Sequence, residues 1–335
     1  MNNDFYRAGT DGRRPQSALL LPSANLRTPA DPAGYIPDEG LAAAVNVSLR
    51  LRQPLLVTGE PGTGKTQLAA NVAWQLGLPA PLVFETKSDS LARDLFYRFD
   101  TLARFRDAQA GRPLNDADYL ELNALGRAVL LSNPPGKYSS ITPSDLTDRH
   151  PQQSVVLIDE IDKAPRDFPN DLLNEIERFY FRIPELDNIR VDAAHEFRPV
   201  VIITSNLEKG LPDAFLRRCL FYHIPSPTPT RLQAIVISRV TSMLEDAATS
   251  PLLLDAIAFF ARLRTPPTSL RRPPGTSELL AWVISMLQAD LDPRKTVRAQ
   301  SALAAEHFCT LAKVVEDQPA VIQEFDDWLK EQTTS

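Results

Sequence analysis

The strongest constraint on this chain is a run of apolar strand, glycine-rich turn and helix near residue 60. Leu55-Leu56-Val57 is bounded by Pro54 and Gly59 and reads as a buried strand. It runs into Gly59, Glu60, Pro61, Gly62, Thr63, Gly64, Lys65 and Thr66, a complete match to the pattern G-x-x-x-x-G-K-[ST]. A helical segment follows, with Gln67 in its first turn and its end near Leu76. Glycines let such a loop turn its backbone N–H groups toward phosphate oxygens. The helix N-terminus adds positive potential at the same point. In this pattern the lysine, Lys65, reaches the outer phosphates, and the hydroxyl of Thr66 is a ligand for Mg²⁺.

A second strand carries the complementary charge. Ser154 to Ile158 is continuously apolar, as expected of a strand covered on both faces of a parallel sheet, and it ends in Asp159-Glu160. An acid at such a strand end holds Mg²⁺ beside the phosphates, which assigns Asp159 to the metal with Thr66. The adjacent Glu160 is the candidate base that polarises an attacking water. Asp162 and Lys163 continue this loop and read as surface residues. A third apolar run, Pro199 to Thr204, ends in Ser205-Asn206. Asn206 either orients the water beside the outer phosphate or closes an Asx turn.

Strands and helices alternate as far as residue 225. Helices are expected at Leu41–Arg52, Ser88–Ala110, Asp118–Leu131, Phe168–Phe179 and Leu211–Arg218, and further strands at Pro81–Glu85 and Leu220–Ile224. Phe181–Phe197 reads as a hairpin. Pro225, Pro227 and Pro229 make a stiff boundary, part of an excess of 29 prolines over 13 glycines. Beyond it only helical patterns appear, at Arg231–Glu245, Leu252–Leu263, Ser277–Leu291, Thr296–Val315 and Val321–Lys330. The expected organisation is a polar arm at 1–34, an α/β nucleotide-binding domain at 35–225 and a helical domain at 226–335.

Together these residues resemble the AAA+ ATPases, and within them the MoxR-like group. The carriers are GEPGTGKT at 59–66, VVLIDEIDKA at 155–164, VIITSN at 201–206 and LPDAFLRRC at 211–219, over about residues 35–290. The run Leu173-Asn174-Glu175-Ile176-Glu177 points the same way. The resemblance implies a parallel five-stranded sheet of order 5-1-4-3-2 followed by an all-helical lid. It implies that Asn206 is the sensor-1 residue and that either Arg217 or Arg218 is the arginine finger supplied to a neighbouring subunit. It also implies an adenine cradle at Tyr35-Ile36-Pro37, and a helix-2 insertion facing a ring pore at Ser88–Ala110. A sensor-2 arginine is missing from the turn Gly275-Thr276-Ser277-Glu278, where Thr276 or Ser277 reads as the helix cap; Arg271 and Arg272 precede it.

The activity so implied is Mg²⁺-dependent hydrolysis of ATP to ADP by a hexameric ring that remodels or matures a client protein, often beside a partner bearing a von Willebrand factor A domain. A nucleic-acid motor on the same fold and an ATP-gated scaffold with slow turnover are the alternatives. The net charge of −6 argues against a large basic nucleic-acid face. No apolar run approaches the length of about 18 residues that a membrane helix needs. Met1-Asn2-Asn3-Asp4 lacks the basic and apolar parts of a secretion leader, and two cysteines cannot build a disulfide framework, so a cytoplasmic setting is expected. The four histidines, 150, 195, 223 and 307, lack metal-ligand spacing.

Overall fold

Three apolar runs make the centre of a parallel sheet because they have no polar face to offer water. In the computed structural model, which describes residues 31–146, 150–206, 210–241, 243–265 and 270–331, they are β1 (Leu55–Gly59), β3 (Val155–Asp159) and β4 (Val200–Ser205), buried almost throughout. The shorter β2 (Leu82–Glu85) and β5 (Leu220–Ile224) are only partly buried and form the edges. The order is 5-1-4-3-2, as the resemblance implied. All neighbours run parallel, with Leu56 beside Ile203 on one side and Phe221 on the other, and Leu157 between Val83 and Ile202. Every strand therefore ends at one edge of the sheet, the edge where open α/β sheets bind ligands.

Two helices of this first unit, the first and the third, start on aspartate caps. The Asp38 carboxylate accepts from Leu41 N at 2.7 Å to begin α1 (Glu39–Leu51), and it also accepts from the Tyr222 hydroxyl of β5. Helix α2 (Lys65–Gln75) follows β1 through the glycine loop. Helix α3 (Thr101–Gln109) is capped by Asp100, α4 (Ala124–Leu131) is buried along nearly its whole length, and α5 (Phe168–Asp171), α6 (Leu173–Arg178) and α7 (Asp213–Leu216) are short.

Several expected helices are broken or shortened. Ser88–Ala110 is a 3₁₀ turn at Ala92–Leu95, a strand at Tyr97–Phe99 and then α3. The strand pairs antiparallel with Leu120–Leu122, which in turn shortens the helix expected from Asp118 to α4. Leu95, Phe96 and Tyr97 are buried in the sheet's core instead of lining a helix stripe. Phe168–Phe179 divides at Leu172 into α5 and α6 and stops at Phe179 in the left-handed region, φ 54°. Leu211–Arg218 contains a single helical turn. The hairpin pairs Tyr180–Ile183 with Ile189–Asp192.

The described residues divide into two compact units, one from Pro37 to Ser226 and one from Pro227 onward together with the segment ending at Ile36. The second unit holds α8 (Pro229–Val240), α9 (Pro251–Arg264), α10 (Thr276–Gln288), α11 (Ser301–Ala305) and α12 (Asp317–Lys330). The long helix expected over Thr296–Val315 is two 3₁₀ turns around α11. Its core is aromatic: Phe259 lies 5.0 Å from Phe325 and 5.7 Å from Trp282 between ring centroids. The segment before Ile36 attaches to α8, with Ser238 Oγ donating to Gly34 O at 3.0 Å and Arg239 Nη1 to Asp31 O at 3.1 Å. The arm up to residue 30 and the pair Pro266-Pro267 lie outside the described residues. No helix among the described residues is long and apolar enough to cross a membrane.

Candidate nucleotide site

The loop between β1 and α2 depends on glycine at three left-handed or extended-positive positions: φ is 153° at Gly59, 79° at Gly62 and 86° at Gly64. A Cβ on Gly59 would also meet Ile224 O at 3.0 Å. Side chains avoid such backbone, at a cost of about 1–3 kcal/mol per residue. Glu60 and Pro61 cross the exposed top of the loop, and Thr63 Oγ1 donates to Glu60 O at 2.8 Å. The Lys65 ammonium donates to Gly59 O at 2.8 Å and to Glu60 O at 2.9 Å. It is only 6% exposed. Burial pulls its pKa below the usual lysine value, and the nearby carboxylates of Asp162, Asp159, Glu160 and Glu60 oppose that shift. A buried ammonium at a helix N-terminus is a place built for an anion. Gln67 follows in the first turn of α2, half-buried.

Opposite the loop, Thr66 Oγ1 donates to Asp159 at 3.0 and 3.2 Å, so two oxygen ligands suited to Mg²⁺ stand together at the end of β3. Asp159 is held from behind. The Thr204 hydroxyl, fully buried, donates to Asp159 Oδ1 at 2.6 Å and accepts from Glu160 N at 2.8 Å. One hydroxyl thus fixes both acids. Glu160 sits in the left-handed region at φ 53°, ψ 53°, which turns its side chain away from the strand direction. Its Oε1 accepts from Asn206 Nδ2 at 3.0 Å, so the amide at the tip of β4 reaches the acid at the tip of β3.

Asp162 is not a surface residue. It is 3% exposed, and its Oδ1 accepts from Asn206 N at 3.2 Å, which ties the loop after β3 to the end of β4. Lys163 returns over Glu160 and forms an ion pair with Oε2. Thr204, Asp162 and Lys163 lie within the runs VIITSN and VVLIDEIDKA, which give them no site role by themselves. The only available signal was a hydroxyl ending the otherwise apolar run Val200–Ile203, and charges directly following Glu160.

The remaining candidates lie elsewhere. Arg217 is the C-cap of α7. Arg218 Nε donates to Glu177 of α6 at 3.2 Å and its Nη1 to Ala214 O at 3.1 Å, contacts outside the Asp159–Glu160 cluster. Tyr35 is half-buried in the segment attached to α8, in the second unit. Arg271 and Arg272 donate their backbone N–H groups to the buried Asp317 carboxylate at 2.8 and 2.9 Å, and the Arg271 guanidinium pairs with Glu316. Neither Thr276 nor Ser277 caps α10. The cap is Gly275, whose N–H donates to Glu278 Oε2 at 3.1 Å, because the glutamate three residues on reaches back to the cap. His223 Nδ1 pairs with the buried Thr58 hydroxyl at 3.0 Å across β5 and β1.

Placing β4 between β1 and β3 is what brings Lys65, Asp159, Glu160 and Asn206 to one edge. A parallel sheet of this order with a glycine-rich loop after β1 and an acidic end on β3 is a P-loop fold. Residues 54–219 match the family model described as AAA domain (dynein-related subfamily). Among curated proteins none matches the chain. Two variants of Thermotoga maritima RuvB are among the solved structures to which the chain is similar. One has a TM-score of 0.43 and 15% identity over 84% of this chain and 70% of that one. The other has a TM-score of 0.43 and 16% identity over 83% and 69%.

Proposed function

We propose that this protein hydrolyses ATP to ADP and phosphate in a Mg²⁺-dependent reaction, and that it uses the cycle to remodel a client protein as a MoxR-like ring. The observation that carries the reading is the Glu160–Asn206 hydrogen bond at 3.0 Å beside the Thr66–Asp159 pair. A loop that only bound nucleotide would need the second pair and not the first. In this reading the loop N–H groups and Lys65 hold the β- and γ-phosphates, with Lys65 exchanging its bonds to Gly59 O and Glu60 O for phosphate oxygens. Thr66 and Asp159 would hold Mg²⁺, which supplies charge neutralisation on the phosphate oxygens when bound.

Glu160 takes up the proton of the attacking water as its oxygen bonds to the γ-phosphorus and the bond to the β-phosphate oxygen breaks. Asn206 keeps the carboxylate turned toward that water. Arg217 or Arg218 is supplied to the neighbouring subunit's phosphates, an arrangement consistent with their position outside their own Asp159–Glu160 cluster. A hexamer, a client and a von Willebrand factor A partner belong to this same reading. The test is steady-state phosphate release by wild type, Lys65→Ala and Glu160→Gln. Both variants should lose turnover by about 10²-fold or more, with Glu160→Gln still binding nucleotide. Turnover in Glu160→Gln equal to wild type would remove the assignment of the base.

A further inference from the structure

The turn after β3 carries a cation that the reaction outlined above does not use. Ile161–Lys163 is a single 3₁₀ turn whose Lys163 N–H donates to Glu160 O at 2.9 Å. Glu160 is the left-handed cap of this turn, and the Lys163 side chain comes back over it. Its ammonium pairs with Glu160 Oε2, while Asn206 Nδ2 holds Oε1. Both oxygens of the candidate base are therefore engaged. The two donors differ in kind. Asn206 is anchored through its own N–H to the buried Asp162, and the Glu160 backbone is anchored to Thr204, so neither can withdraw without moving a strand end. Lys163 is 47% exposed on a flexible, strongly hydrated stem and can leave into water.

We infer that Lys163 is a positioning residue that covers Oε2 of Glu160, the oxygen that Asn206 leaves for the attacking water, so that turnover requires the ammonium to swing out. This rests on the hydrolytic reading above. A cation on Oε2 takes up lone-pair space on the oxygen that would receive the water's proton and blocks the water's approach to it. Removing the latch therefore raises basal turnover. The size is limited by the exposure of the pair: solvent-exposed ion pairs are worth up to about 1 kcal/mol, equivalent to a rate factor of about five.

The experiment compares ATP turnover and affinity for a non-hydrolysable ATP analogue in wild type, Lys163→Met and Lys163→Arg. The methionine variant should raise kcat about two- to fivefold with KM and analogue affinity unchanged. The arginine variant, which restores the ion pair, should return kcat to the wild-type value. In a Glu160→Gln background the anionic partner is gone, so adding Lys163→Met should leave the residual rate where it is. Wild-type turnover that Glu160→Gln abolishes and Lys163→Met leaves unchanged or lowers would overturn the latch alone. Lys163→Gln repeats the measurement if the methionine variant melts early. An absence of turnover in wild type and Lys163→Met alike would overturn the hydrolytic reading and the latch together.

Discussion

Thr204→Val is the most searching test of how the acidic pair is held. The hydroxyl is fully buried at the end of β4, donates to Asp159 at 2.6 Å and receives the Glu160 N–H at 2.8 Å. Valine keeps the shape and removes both bonds. A hydrogen bond to a charged acceptor contributes about 1.5–3 kcal/mol, and a buried amide left without an acceptor costs about 1–3 kcal/mol. The two are coupled through one atom, so the combined loss is about 2–4 kcal/mol rather than their full sum. For a unit of this size that lowers the melting temperature by about 4–16 °C. Glu160 also loses the contact that holds its left-handed backbone. A shift of the acid by about 1 Å costs on the order of 10²-fold in turnover. Differential scanning fluorimetry and phosphate release measure the two effects. Thr204→Ser is the control: it keeps the hydroxyl, loses one methyl worth about 0.8 kcal/mol, and should keep turnover within a few-fold of wild type. If the valine variant melts within about 1 °C of wild type and turns over normally, the hydroxyl does not hold the acids and the reasoning fails.

Three further outcomes follow from named contacts. Burial lowers the Lys65 pKa, so between that lowered value and the usual 10.5 the unfolded chain binds more protons than the folded one, and this group makes stability rise with pH. Lys65→Met removes that contribution: its stability advantage over wild type should shrink as pH rises toward 10.5 in urea titrations, and a constant difference would contradict the burial argument. Of Arg217→Ala and Arg218→Ala, one should lose about 10³-fold or more in turnover while keeping ADP affinity, and mixing it with Glu160→Gln subunits should restore part of the rate. Full turnover in both single variants would dismiss the finger. Trp282→Ala empties the centre of the aromatic core and cuts the bond from its Nε1 to Ala304 O, and it should destabilise the helical unit by about 3–5 kcal/mol in denaturant melts.

What could be read from sequence, and what could not, divides along the range of the interactions. The glycine-rich loop was legible because its strand, turn and helix are contiguous in sequence. The three central strands were legible because burial on both faces leaves an uninterrupted apolar run, which no amphipathic helix shows. Ser88–Ala110 misled for the opposite reason. Its apolar residues have helical spacing, yet Tyr97–Phe99 finds a strand partner more than twenty residues away, and that pairing with the burial of Phe96 and Tyr97 outweighs local preference. The candidate site fails at the same boundary. Asp159, Glu160 and Asn206 stand at strand ends, where motif and position coincide. Thr204 and Asp162 matter only because β4 lies against β3, a neighbour relation that spacing does not reveal. Asp162 illustrates the physical rule. Its carboxylate would be costly to bury alone, and the Asn206 N–H that donates to it comes from the end of a strand more than forty residues on. A charged residue next to an acidic pair at a strand end therefore reads as exposed until the strand order is known, and becomes part of the scaffold once it is.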